Sequence, residues 1–203
     1  KPVITLSGDA AVTHEAATSY SDAGATWADT LDGNGTLVAS GTVNVNVPGA
    51  YVLTYDFTDA AGNAADQVTR TVTVTDTTKP VIALTGSATV THEASTAYTD
   101  GGATWTDTLD GNGTLDTNIT VNPLLPGVYS LAFGVADVAG NMADQVARTV
   151  TVQDTTKPVI SLEGNATIRH RVWRPYIDPG ARASDTLDGD LTNKISTINP
   201  VEA

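Results

Sequence analysis

The chain has 203 residues, with 23 acidic side chains against 10 basic, three His, no Cys and a formal net charge of −13. Cations this few and scattered exclude a phosphate-binding face and so nucleic acid as a partner. The lack of Cys excludes disulfides and thiolate metal sites, and no apolar run approaches the ~20 residues that span a bilayer, so no membrane insertion is expected. In chain order, the local signal is β. Strands are expected near 3–6, 10–14, 19–27, 37–39, 42–46, 50–57 and 67–75, where β-branched and aromatic residues alternate at period two, as in Val68-Thr69-Arg70-Thr71-Val72-Thr73-Val74. Gly, Pro, Asn and Asp clusters punctuate them every 8–12 residues, the spacing of a small β-sandwich. Pro48-Gly49-Ala50-Tyr51 ahead of a long strand has two readings: a tyrosine corner, or a plain core tyrosine.

The pattern then repeats at a fixed offset of 78. Lys1-Pro2-Val3-Ile4 returns at Lys79 and again at Lys157. Residues 1–78 and 79–156 share 51 identical positions without a gap. The expected domains are therefore 1–78, 79–156 and a partial unit 157–203 that lacks the last strands. The two full repeats carry net charges of −7 and −6, and the third carries none. Of the acids 19 are Asp and four Glu, a bias toward turns, caps and oxygen-ligand metal sites. The abrupt start at Lys1-Pro2 suggests an excised fragment.

Five motifs recur in order: Asp-Thr-Thr-Lys-Pro-Val-Ile, Tyr-x-Asp-x-Gly-Ala, Asp-x-x-Asp-Gly-(Asn/Asp), Pro-Gly-x-Tyr and Asp-x-Ala-Gly-Asn. Together they resemble the bacterial immunoglobulin-like domain family seen in insecticidal crystal proteins and large surface proteins, and the last two also resemble hyalin repeats. The third repeat departs by lacking Pro-Gly-x-Tyr and Asp-x-Ala-Gly-Asn. The resemblance implies an all-β fold of tandem immunoglobulin-like sandwiches, the third incomplete. It also implies an extracellular or cell-surface setting in a bacterium, with neighbouring modules as first partners.

Three acidic motifs recur. The first is Asp29, Asp32 and Asn34, then Asp107, Asp110 and Asn112, then Asp185, Asp188 and Asp190. The second is Asp59 with Asn63, then Asp137 with Asn141; the third is the linker carboxylate, Asp76 or Asp154. Asp32-Gly33-Asn34-Gly35 looks like the middle of an EF-hand loop, but Thr30 stands at the first ligand position and no Glu follows, so an EF-hand is rejected. An Asx turn is the simpler reading of the first motif, and a hairpin loop with Gly62 or Asn63 left-handed that of the second. Seven-strand sandwich topology, however, brings Asp76 toward Asp107, Asp110, Asn112, Asp137 and Asn141. Four carboxylates in one place repel unless a cation joins them. The expected cofactor is Ca²⁺ at the joint of the first two repeats, with a second site from Asp154, Asp185, Asp188 and Asp190.

Other features are weaker. His14 and Glu15, neighbours on a strand, point to opposite faces and read as an exposed pair. Trp27 and Trp105 are expected core aromatics, or sugar-stacking platforms if exposed. Trp173 is expected to refill the space that Ala183 leaves where the other repeats have Trp. The Arg cluster 169, 171, 174 and 182 reads as surface variation, or a docking face for an acidic partner. No catalytic constellation appears, so an enzyme is not expected. The favoured function is a calcium-stiffened stalk of an extracellular bacterial adhesin or surface protein. The alternatives are accessory, carbohydrate-binding or protein-binding modules of a secreted enzyme, with a cell-surface or glycan ligand. Open sheet edges in the third repeat imply truncation or a strand-exchanged oligomer.

Overall fold

A computed structural model describes residues 1–198, and two compact units divide it. One unit is Lys1–Ala83 with Thr104–Leu115 and Gly134–Gln145; the other is Leu84–Ala103 with Asp116–Phe133 and the chain from Val146 on.

In the first unit, the first repeat builds two three-stranded sheets. Strands β1 (Val3–Leu6), β3 (Ala25–Asp29) and β4 (Gly33–Leu37) form an antiparallel sheet in the order β1-β3-β4. Strands β2 (Ala11–Glu15), β5 (Gly49–Tyr55) and β6 (Val68–Thr75) form the other, in the order β2-β6-β5. Within it β2 runs parallel to β6, with Val12 opposite Val72, and β5 runs antiparallel, with Tyr51 opposite Val72. Alternation along β6 buries Arg70, Val72 and Val74 on one face. Ile4 and Ala25 from one sheet and Tyr55 from the other share one cluster with Leu6, Trp27, Phe57 and Val68, which closes the sandwich. Trp27 is half-buried and stacks on Phe57 at 3.9 Å and 16°.

The sequence expectation differs from this in two places. Residues 19–24 form no strand, because the Asp22 carboxylate accepts the Gly24 N–H at 2.9 Å and Gly24 takes a φ of 76°. The strands expected near 37–39 and 42–46 are replaced by β4, and the presumed loop 29–35 is a tight β3–β4 hairpin. Asp29 Oδ1 accepts the N–H groups of Leu31 and Asp32 at 2.8 and 3.2 Å, so the Asx-turn reading holds there. Tyr51 is a tyrosine corner: its hydroxyl donates to the Val47 carbonyl at 2.7 Å, and Tyr129 donates to Leu125 at 2.8 Å.

Trp27 lies opposite Gly35 in the hairpin, and a Cβ on Gly35 would sit 2.6 Å from the indole Nε1. Gly113 meets Trp105 in the same way. In the third repeat the pair becomes Ala183 and Leu191, joined by a 2.8 Å backbone hydrogen bond. The larger side chain now stands at Leu191, the residue after Asp190. Trp173 therefore does not refill the site: it is 93 % exposed, in a left-handed turn with a φ of 63° that Ala17 and Ser95 share at the matching positions. Gly35→Ala is expected to destabilise the first repeat by about 1–3 kcal/mol through overpacking, measured by denaturant unfolding. An unchanged midpoint would show that the indole moves aside freely.

The second repeat places β7 (Val81–Leu84), β9 (Ala103–Asp107) and β10 (Gly111–Leu115) in one sheet, ordered β10-β9-β7. Its strands β8 (Thr89–Glu93), β11 (Gly127–Phe133) and β12 (Val146–Gln153) form another, ordered β11-β12-β8, with β8 again parallel to β12. Leu131, Phe133, Arg148, Val150 and Val152 are its buried residues. Among its described residues the third repeat has β13 (Val159–Leu162), β14 (Ala181–Asp185) and β15 (Gly189–Asp190), followed by a short 3-10 turn at Thr192–Lys194. Among the described residues no helix is long and apolar enough to cross a membrane.

Candidate metal centre

Three pieces of chain build the site in the first unit: the linker after β6, the β9–β10 hairpin and the loop 136–142. The hairpin turns on Asp107, whose Oδ1 accepts the N–H groups of Leu109 and Asp110 at 2.8 and 2.9 Å. Asp110 Oδ2 then accepts the Val138 N–H at 2.7 Å, which ties the hairpin to the loop. In that loop Asn141 donates its backbone and side-chain N–H groups to the two Asp137 oxygens, both at 2.7 Å. Gly140, with a φ of 95°, supplies the left-handed residue. The Asn141 amide also donates to the Asp76 carbonyl at 3.1 Å, which fixes the linker against the loop.

Oxygens of Asp76, Asp110 and Asp137 thereby lie within 4.8 Å of one another. The Oδ2 atoms of Asp76 and Asp107 are sealed from solvent and have no hydrogen-bond partner. Burial first, then the charges of Asp137, Asp107 and Glu15, push the Asp76 carboxyl above its ordinary range despite the Thr78 N–H. Burial also raises Asp137, but the Asn141 bonds outweigh it and hold that carboxyl low. Of the expected residues, Asn112 lies exposed on β10.

Two related groups of three Asp oxygens also occur, each with a different membership. Asp154, Asp185 and Asp188 bring oxygens within 4.8 Å, again with a sealed and unpartnered Asp185 Oδ2. Burial, then the charges of Asp185, Glu93 and Asp188, raise the Asp154 carboxyl against the opposing Thr156 N–H. Asp190 stands outside that group and accepts the Thr192 N–H at 2.9 Å. The first repeat gathers Asp29, Asp32 and Asp59, with the Lys1 amine 3.4 Å from Asp29 Oδ2.

Two functional features escaped the sequence reading. Glu15, expected to be a plain exposed residue, accepts the Thr77 N–H at 2.9 Å and the Thr77 and Thr78 hydroxyls, each at 2.7 Å. These bonds, the Thr77 hydroxyl first, lower its pKa from 4.5 to about 2. Glu93 holds Thr155 and Thr156 in the same way. The recurrence of Glu15 with Thr77-Thr78 at the same spacing was the available signal. Because the folded pKa is depressed, the stabilisation is present above about 4.5 and is lost as pH falls toward 2. Glu15→Gln should flatten the acid limb of the stability profile, read by thermal unfolding from pH 6 to 2; an unaltered limb would contradict the strut. His14 instead meets Thr18, and packs edge-on to Tyr20 at 5.1 Å.

The second missed feature is Arg70, buried in the first unit. Its Nε donates to the Asp9 carbonyl at 2.8 Å, its Nη2 to Ser7 at 2.6 Å, and its Nη1 to Tyr55 Oη at 3.1 Å and to the Asp22 carboxylate. Burial raises Asp22, but the bonds from Tyr55, Arg70 and Gly24 hold its carboxyl below the ordinary range. Burial, then the Asp22 contact, pushes the Tyr55 phenol up to about 12. In the second unit Arg148 pairs with Asp100 and donates to Ser87 and Thr85 at 2.9 and 2.6 Å.

No curated protein matches the chain. A family model described as bacterial surface protein, Ig-like domain, matches residues 4–74 and 82–152, more than half of the sequence and one match per full repeat. These are the residues that carry the paired sheets, the buried Arg and the tyrosine corner, and the chain belongs to this family of bacterial surface Ig-like domains.

Proposed function

We propose that the chain is a spacer segment of a bacterial adhesin or other extracellular surface protein, built of modules at 1–78 and 79–156 with a third beginning at 157, and stiffened by Ca²⁺ at the linkers. Membership of a surface Ig-like family supports a structural, non-catalytic module. The observation that carries the calcium reading is the pair of sealed, unpartnered oxygens, Asp76 Oδ2 and Asp107 Oδ2, beside the Asp76–Asp110–Asp137 group. A buried carboxylate oxygen without a donor is costly, and a hard cation removes that cost for several oxygens at once. Flexible all-oxygen ligation from loops suits Ca²⁺ better than Mg²⁺, which demands near-ideal octahedral geometry.

The linker is where stiffness matters. Pro80 restricts the dihedrals around it, and Glu15 already clamps Thr77 and Thr78. An ion held by Asp76 removes the remaining freedom. NMR relaxation of the Asp76–Lys79 amides tests this. Order parameters should rise to about 0.85, the value of rigid backbone, in Ca²⁺ and fall in EGTA. Equal values in both conditions would contradict the stiffening role.

A further inference from the structure

Each linker is gripped by a glutamate that belongs to neither three-oxygen group. β2 runs parallel to β6 with Glu15 opposite Thr75, and the Ala16 N–H donates to the Thr75 carbonyl at 2.8 Å. The backbone pairing therefore stops just before Asp76. The Glu15 carboxylate carries it onward. It takes the Thr77 N–H and both threonine hydroxyls, while the Thr78 N–H turns back to Asp76 Oδ1 at 3.1 Å. With Oδ1 so occupied and the Asp76 carbonyl held by Asn141, Oδ2 is the oxygen left without a donor. β8 repeats the device. Glu93 lies opposite Gln153, and the Ala94 N–H donates to the Gln153 carbonyl at 2.8 Å. There the Thr156 N–H is shared between Glu93 Oε1 at 3.0 Å and Asp154 Oδ1 at 3.1 Å, so a single donor joins the clamp to the linker carboxylate.

We infer that Glu15 is a positioning residue for calcium at Asp76, and Glu93 its counterpart at Asp154. Each sets the affinity of its site through the two linker threonines, without touching the ion. The inference rests on the calcium reading proposed above. Asp76 lies past the end of β6, so no strand pairing fixes it, and the direction of its carboxylate depends on the backbone of Thr77 and Thr78. Groups that hold a metal ligand from behind contribute about 10–100-fold in affinity. A linker ordered in advance spares the ion the cost of ordering it. Coupling is reciprocal, so calcium tightens the grip of Glu15 on the threonines by the same factor. Glu15 is also a negative charge that acts on Asp76 through space. Its charge and its bonds are separable, because the threonine hydroxyls can be removed with Glu15 in place.

The test is an NMR titration of the full chain with Ca²⁺, read at the amides of residues 137–141, which report the Asp76 site. Affinity is expected to fall about tenfold with Glu15→Gln, equally with Thr77→Val and Thr78→Val together, and no further when all three are combined. Glu93→Gln should leave these amides at the parent affinity. Valine keeps the shape of threonine and the glutamate keeps its charge, so the valine pair carries the comparison even if Glu15→Gln unfolds. Unchanged affinity, with only a lower unfolding midpoint in EGTA, overturns the inference and leaves the calcium reading standing. So does a loss confined to Glu15→Gln, which would be the work of charge alone, or an equal loss with Glu93→Gln. Parent amides that ignore millimolar Ca²⁺ overturn the calcium reading and the inference with it.

Discussion

Arg70→Met is expected to cost the first repeat about 3–5 kcal/mol, because it breaks a part-buried ion pair with Asp22 and removes the buried donor of the Asp9 and Ser7 carbonyls. Arg70 is 1 % exposed and bonds Asp9, Ser7, Asp22 and Tyr55. Those partners sit on three separate stretches of chain: the β1–β2 connection, the irregular segment 19–24 and β5. The guanidinium is thus the tie that lets residues 19–24 cross the sandwich without strand pairing. The Asp22→Leu and Arg70→Met double variant should recover part of the loss, since apolar replacement of a whole buried pair is often neutral. Denaturant unfolding followed at the Trp27 indole N–H resonance isolates this repeat. A midpoint shifted by less than the equivalent of ~1 kcal/mol would mean that water replaces the lost donors.

Asp76→Asn is expected to change sign with calcium. Without the ion, Asp76 is held above its ordinary pKa by burial and by its acidic neighbours, so its ionisation at neutral pH opposes folding. Asn retains the acceptor for Thr78 and relieves that repulsion, so the variant should unfold at a higher temperature than the parent in EGTA. In Ca²⁺ the order should reverse. An ion at 100 times its dissociation constant stabilises the parent by about 2.7 kcal/mol, and the variant forfeits most of this. The same order in both buffers would contradict the proposed role of Asp76.

Much of the fold was legible because the repeat supplied internal confirmation. The strand at 68–75 follows from alternation, while the tyrosine corner and the plain core tyrosine stayed open until the Tyr51 hydroxyl bond decided between them. The approach of Asp76 to Asp110 and Asp137 was an expectation from loops converging at one end of a sandwich, and in the structure oxygens of these three residues lie within 4.8 Å of one another. Arg70 was missed although its phase was visible: it alternates with Val72 and Val74 on the inward face, and only a count of charges makes it look exposed. Residues 19–24 were misread because Tyr20 and Ala25 look like strand, while a side-chain to backbone bond at Asp22 decides the conformation. Trp173 was misread because the left-handed turn it occupies leaves no mark on residue type; Ala, Ser and Trp all stand there.

Calcium binding to the intact chain, measured by isothermal titration calorimetry, addresses the central claim. The account predicts binding tighter than ~1 mM, the weak limit of extracellular calcium modules, lost in part with Asp107→Asn and in a separate part with Asp185→Asn. No heat at millimolar Ca²⁺, or binding that neither substitution alters, would contradict it.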